Sequence, residues 1–234
     1  MKRRKFQILA LGFLFIVFPL KADEPKVLFD GKTLAGWSAP ELSYWSVEDG
    51  AITATASEEN PCTKNQFLVW QGGDISDFKL TLNFKVDGGP KANSGVQVRS
   101  QVLEDGHAVG YQVDISHPEA PWLGAIYDEH GRKMLSTRGE KTVVKADGSF
   151  EKTALTESGE AAVSSYKAGE WNSYEIVGQG NQITVKLNGH LTAEVIDLQE
   201  EERELSGILA LQLHSGPPMK VQFKDLVLTN LSGE

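Results

Sequence analysis

Three separated segments of this 234-residue chain carry side chains able to bind a neutral polyol and to move a proton. GVQVRS (residues 95–100), YQVDIS (111–116) and ILALQLHS (208–215) alternate apolar and polar positions with a period of two. As strands they aim Val96/Val98, Tyr111/Val113/Ile115 and Leu209/Leu211/Leu213 into a core, and Gln97/Arg99, Gln112/Asp114 and Gln212/His214 to the opposite face. A merely solvated strand face is rich in Lys, Glu, Thr and Ser. Here it offers three Gln, one Arg, one Asp and one His, all suited to hydrogen bonding hydroxyls, while the imidazole and the carboxylate can also exchange protons. The combination points to a carbohydrate ligand.

The elements that must position these residues read almost entirely as strands. Tyr44 to Val47 and Ala51 to Ala54 flank the hairpin signal Glu48-Asp49-Gly50, and Ile183 to Leu187 and Leu191 to Val195 flank the stronger Asn188-Gly189. Phe78 to Val86 alternates over its whole length. Val221 to Leu228 alternates and then shifts phase at Asp225-Leu226, as a bulge would require. No amphipathic helix longer than about three turns stands out; Asp197 to Leu205 suits one short turn. Arg138 to Gly169 is polar and aperiodic, and reads as a surface excursion with one minor hairpin at most, either a lid or a decoration. The fold class is all-β: a two-sheet antiparallel β-sandwich or jelly roll.

The N-terminus reads as a secretory signal peptide, with Lys2, Arg3, Arg4 and Lys5 ahead of the apolar Phe6 to Phe18 and a small residue, Ala22, before Asp23. Cleavage there leaves residues 23–234 as a single domain, periplasmic or secreted, with no membrane attachment. It also removes five basic residues, taking the net charge from −9 to −14. So acidic a domain repels nucleic acid and anionic lipid. The lone Cys62 cannot form an internal disulfide, and its neighbours offer nothing to activate it.

Phe29-Asp30-Gly31-Lys32-Thr33-Leu34, Gly36-Trp37, Trp45 to Gly50, Asn93-Ser94-Gly95-Val96 with Arg99, Gly110 to Asp114, Gly124 to Tyr127, Gly169 to Asn172, Leu187-Asn188-Gly189 and Leu211 to His214 occur in this order. Together, over about residues 27–229, they resemble the bacterial 3-keto-disaccharide hydrolase domain family, a concanavalin-like jelly roll of exported proteins. Two departures stand out: the charged run Asp128 to Arg132, and the length of the 138–169 excursion.

The resemblance implies cleavage of glycosides whose sugar is already a ketone at C3. That ketone acidifies the C2 proton, so the C1 oxygen can leave by elimination, with water adding afterwards. Such a site needs a base, a donor or cation for the enolate oxygen, and an acid for the leaving oxygen; it does not need the paired carboxylates of ordinary glycosidases. No Glu-x-Asp-x-Glu run occurs. His214 is the expected proton carrier, Arg99 the expected donor to the enolate, and Asp114 either an orienting group or the base itself should burial raise its pKa. Gln97, Gln112 and Gln212 would read hydroxyls, and Trp122 and Tyr127 would stack on a pyranose. Against each stands a plainer reading: a cross-strand Arg99–Asp114 ion pair, a structural His214, aromatic rings packed over the core edge. His130 with Asp128, Glu129 and Arg132 is a rival cluster, but no motif spacing compels a metal, and no metal or cofactor is expected. The same face on a noncatalytic sugar-binding module is the alternative from another class. The ketone would come from a separate oxidoreductase, because no Gly-rich dinucleotide fingerprint is present.

Overall fold

A computed structural model describes residues 23–231. The expected signal peptide lies outside the described residues. The strands are, in order, β1 (Lys26–Val27), β2 (Trp37–Ser38), β3 (Trp45–Glu48), β4 (Ala51–Ala56), β5 (Gln66–Trp70), β6 (Phe78–Gly88), β7 (Asn93–Val102) and β8 (Ala108–Ser116). There follow β9 (Ile126–Glu129), β10 (Lys133–Ser136), β11 (Glu140–Val144), β12 (Phe150–Ala154), β13 (Asn172–Gln179), β14 (Gln182–Leu187), β15 (His190–Asp197), β16 (Ile208–Leu213) and β17 (Met219–Asn230). A ten-residue helix, α1 (Thr156–Ser165), lies between β12 and β13.

The strands make two sheets. The larger is ordered β12-β11-β15-β14-β13-β6-β17-β4-β3, with β1 paired to β17; the smaller is β10-β9-β8-β7-β16-β5-β2. All pairs are antiparallel except β11 with β15, which run parallel. The all-β sandwich expected from the alternation is therefore present, with one parallel pair at its edge. Phe78, Leu80, Leu82 and Phe84 from β6 meet Val96, Val98, Val113, Ile115, Leu209, Leu211 and Leu213 from the smaller sheet in a single buried cluster. Burial of a side chain of this size contributes about 1.5–3 kcal/mol. Period-two alternation makes the other face of the smaller sheet available to a ligand.

The turns follow their residues. Asp49-Gly50 and Asn188-Gly189 have positive φ at both positions and close their hairpins, as two-residue turns between right-twisted strands require. The phase shift in β17 is a bulge, with Asp225 at φ 54° and the register broken between Lys224 and Val227. The 138–169 stretch is more ordered than an excursion. It adds β11 and β12 to the edge of the larger sheet and then forms α1, which packs on β15 and β14. Backbone pairing on both sides of β11 and the buried Val144 and Ala162 hold it in place, and ion pairs of Lys141 with Glu194, Lys152 with Glu140 and Lys145 with Glu151 lie over its surface.

Candidate active site

The outer face of the smaller sheet carries an amide network. Gln97 Nε2 and Gln212 Nε2 both donate to Gln112 Oε1, at 2.9 and 2.7 Å, and Gln112 Nε2 donates to Asp114 Oδ1 at 2.7 Å. Ser100 Oγ donates to Gln97 Oε1 at 2.7 Å. Gln112 reaches Gln212 by passing over Gly95, the residue between them on β7. All five network side chains are buried. Two polar atoms beside them, Gln212 Oε1 and Asn93 Oδ1, are buried without a partner among the described residues, which in a folded protein calls for an explanation such as a ligand or ordered water.

Above this floor opens a cleft of about 370 Å³ lined by Asn65, Asn93, Gln112, Asp114, Trp122, Tyr127, Glu129, Lys133, Met134 and His214. Burial pushes the Asp114 carboxyl up to about 7; the Gln112 bond opposes the shift and the nearby Glu129 charge adds to it. His214 Nδ1 lies 2.6 Å from the Ser215 carbonyl oxygen. A carbonyl only accepts, so Nδ1 carries a hydrogen and Nε2 is the nitrogen left for proton exchange. Asn65 fixes this turn by accepting from Ser215 N at 2.9 Å. Trp122 is 47% exposed, and Tyr127 is half-buried on the same side.

Thus Asp114, His214, Gln112, Trp122 and Tyr127 come together as expected. Gln97 and Gln212 do not line the cleft: both are fully buried and hold Gln112 instead. Arg99 is elsewhere altogether. A bulge between Val98 and Gln101, with Arg99 at φ 49°, interrupts the alternation and turns this side chain inward. There it lies 5.8 Å from the Phe78 ring and donates to Ser76 O, Gly180 O and Asp77 Oδ1 at 2.7, 2.7 and 3.0 Å. It pairs with Asp77, not Asp114. A guanidinium in this position secures the junction of β6, β7 and β13 and cannot reach a ligand at Asp114.

The same bulge bends the β7–β8 hairpin back over its own sheet. Ala108 packs with Phe67, Val69 and Ala210 on the outer face, and the His107 ring sits 5.2 Å from that of Phe67. His107, in the loop between β7 and β8, is consequently half-buried. The rival cluster around His130 divides. Asp128 faces inward to Arg132, which also holds Asp197 at 2.7 Å, while Tyr111 donates to Asp197 at 2.5 Å. Glu129 faces outward beside Tyr127. Alternation along β9 would have put Glu129 on the cleft side, but Asn65, Lys133 and Met134 reach it from loops and an edge strand that carry no periodic signal.

This is a jelly-roll β-sandwich with a polar, aromatic-walled cleft on the outer face of one sheet. Residues 24–229 match the family model of the 3-keto-alpha-glucoside-1,2-lyase-like domain, and the chain belongs to that family. It is 25% identical over 231 residues to a 3-keto-disaccharide hydrolase of Bacteroides thetaiotaomicron, covering 92% of this chain and 72% of that one. Among solved structures, a candidate glycosyl hydrolase of Parabacteroides distasonis superposes with a TM-score of 0.59 at 22% identity, over 88% of this chain and 98% of that one. A Bacillus subtilis protein with a galectin-like fold gives 0.57 at 9% identity, over 88% and 94% of the two chains.

Proposed function

We propose that this protein cleaves glycosides of 3-keto sugars by elimination followed by hydration, with Asp114 as the base. The observation that carries the reading is a single buried carboxyl on the cleft floor, raised to about 7 and oriented by Gln112, in a member of this family. A base is most effective when its pKa lies near the working pH. Asp114 takes the C2 proton, and the C–H electron pair passes into an enolate with its charge on the C3 oxygen. The enolate re-forms the ketone, makes the C1–C2 double bond and expels the glycosidic oxygen, which takes a proton from the protonated His214 at Nε2. Water then adds: its hydroxide goes to C1, its proton to His214, and Asp114 returns the first proton to C2. The products are a free 3-keto sugar and the alcohol.

With Arg99 turned inward, the donors facing this chemistry are the Tyr127 hydroxyl, the Asn65 and Asn93 amides and Lys133, and Trp122 offers a ring for the apolar face of the sugar. The ketone must be installed by a separate sugar oxidoreductase. The basic and then apolar leader supports export, so both steps would take place outside the cytoplasm.

The test is incubation of residues 23–234 with 3-keto-trehalose and 3-keto-lactose in D2O beside their unoxidised parents, following products and C2 exchange by NMR. Cleavage of the keto forms alone, with exchange at C2 that Asp114→Asn abolishes and His214→Ala retains, is the expected result. Sugar binding without cleavage or exchange would make the domain a noncatalytic carbohydrate-binding module.

A further inference from the structure

We propose that His107, Glu129 and His130 form a binding site for a divalent transition-metal ion of the chemistry of Zn2+ or Mn2+ at one end of the cleft. One ligand atom from each of these residues lies within 4.8 Å of the other two. His107 Nε2 is 3.5 Å and His130 Nε2 3.7 Å from the same oxygen, Glu129 Oε1. Metal–ligand bonds of about 2.0–2.2 Å put neighbouring ligands about 3.0–3.5 Å apart, so small rotations of three side chains suffice. Two imidazoles and a carboxylate select a first-row transition ion over Ca2+ or Mg2+, which prefer all-oxygen sites.

Three features show a built site rather than a chance meeting. His107 comes from the bent tip of the β7–β8 hairpin, 22 residues before Glu129, and meets the adjacent Glu129 and His130 at the end of β9, so tertiary structure brings it to them. His107 is seated on Phe67 and its backbone N–H is held by Asp105 Oδ1 at 3.0 Å, while His130 stands edge-on to it with ring centroids 4.3 Å apart. Glu129, whose side chain is only 14% exposed, has no Lys or Arg within ion-pair distance among the described residues; its neighbour Asp128 is fully paired with Arg132. The two imidazoles are the cation-forming groups nearest its carboxylate, and they are the groups a metal ion would use.

Three protein ligands leave coordination positions open, and Glu129 also lines the cleft that holds Asp114 and His214. On the reading of the preceding section, the ion would supply the positive charge for the ketone and enolate oxygen that Arg99 cannot.

The experiment is calorimetric titration of the chelator-treated mature protein, prepared without a polyhistidine tag, with Zn2+ and with Mn2+, and Co2+ absorption to report the ligand field. One ion per chain is expected, with His107→Ala and His130→Ala each weakening Kd by at least ~100-fold, beyond the 10–100-fold cost of losing an outer-shell partner. Circular dichroism and thermal unfolding check that the variants fold, and Glu129→Gln, nearly isosteric, serves should either alanine variant fail to do so. No uptake by the wild type, or affinity unchanged in the folded variants, overturns the site while leaving the elimination reading intact. Tight binding that depends on these three residues in a protein that neither cleaves 3-keto glycosides nor exchanges their C2 proton would keep the site and overturn that reading.

Discussion

Gln112 lies across Gly95 so closely that a Cβ at position 95 would stand 2.6 Å from Gln112 Cδ and 2.7 Å from its Cγ. The Gln112 side chain is not free to yield, because its carbonyl takes two hydrogen bonds and its amide holds Asp114. Gly95→Ala should therefore displace the amide and release Asp114 while the apolar core on the other side of β7 stays in place. Overpacking of this kind costs about 1–3 kcal/mol. A fall in Tm of a few degrees, with kcat reduced at least ~10-fold, is the expected pair of results; an unchanged kcat would show that Asp114 does not depend on Gln112.

The pH dependence of turnover tests the assignment of the base. Asp114 must be ionised to accept a proton, and its carboxyl is raised to about 7. The cleft groups that share its field are Glu129, Lys133, Tyr127 and His214. In the wild type, kcat/KM on a 3-keto glycoside should rise with pH along an acid limb whose apparent pKa is near 7. In metal-free protein, removing the Glu129 charge with Glu129→Gln should move that limb towards acid, because the charge helps to raise the Asp114 pKa. A limb that stays near the ordinary carboxylate range would exclude Asp114 as the base.

Two carboxyls should make stability fall as pH rises. Asp114, raised from 3.8, and Glu204, raised from 4.5, both reach about 7, the second because it is buried near Asp128 and Asp197, its Oε2 without a hydrogen-bond partner among the described residues. A folded pKa above the unfolded one favours folding fully at pH below the unfolded value, and that contribution is lost as pH rises through about 7. For Asp114 the difference corresponds to roughly 4 kcal/mol. Urea unfolding of Asp114→Asn and Glu204→Gln should show each more stable than the wild type at pH 8 and little changed at pH 4, and only the first should lose activity.

Arg99 separates structure from chemistry. Its three bonds join Ser76, Asp77 and Gly180, and its side chain is 1% exposed. Arg99→Ala removes the donor to two carbonyls and leaves Asp77 with the Gly180 N–H alone among the described residues, at a cost of about 2–5 kcal/mol. The chevron or urea midpoint should record that loss, while the C2 exchange rate of the protein that remains folded changes less than ~3-fold. Abolished exchange in a folded Arg99→Lys variant would return this residue to the site.

How much was legible follows from how each residue is held. Phe78 to Val86, the Asp49-Gly50 and Asn188-Gly189 turns and the Asp225 bulge announced themselves because their local pattern is also their tertiary role. The strands β11 and β12 were hidden, since β12 is wholly exposed and β11 buries only Thr142 and Val144, too few positions for a periodic apolar signal. At the site, Asp114 and His214 were found by alternation, whereas Arg99 was misplaced by extending that alternation through a bulge. His107 could not be seen: only the bent hairpin carries it from a loop to Phe67 and Glu129.

The amide floor has a thermodynamic consequence. Gln97, Gln112 and Gln212 have already lost their rotamer freedom to one another when the chain folds, a loss that long polar side chains ordinarily meet at the moment of binding at about 0.5–1.5 kcal/mol each. A sugar arriving in the cleft meets Gln112 already immobile, held from beneath by Gln97 and Gln212, and the ordering left to it falls on Trp122, Lys133 and Met134 at the walls. Selectivity between ligands would then reside in those walls, and the floor would present one fixed pattern to every sugar that enters.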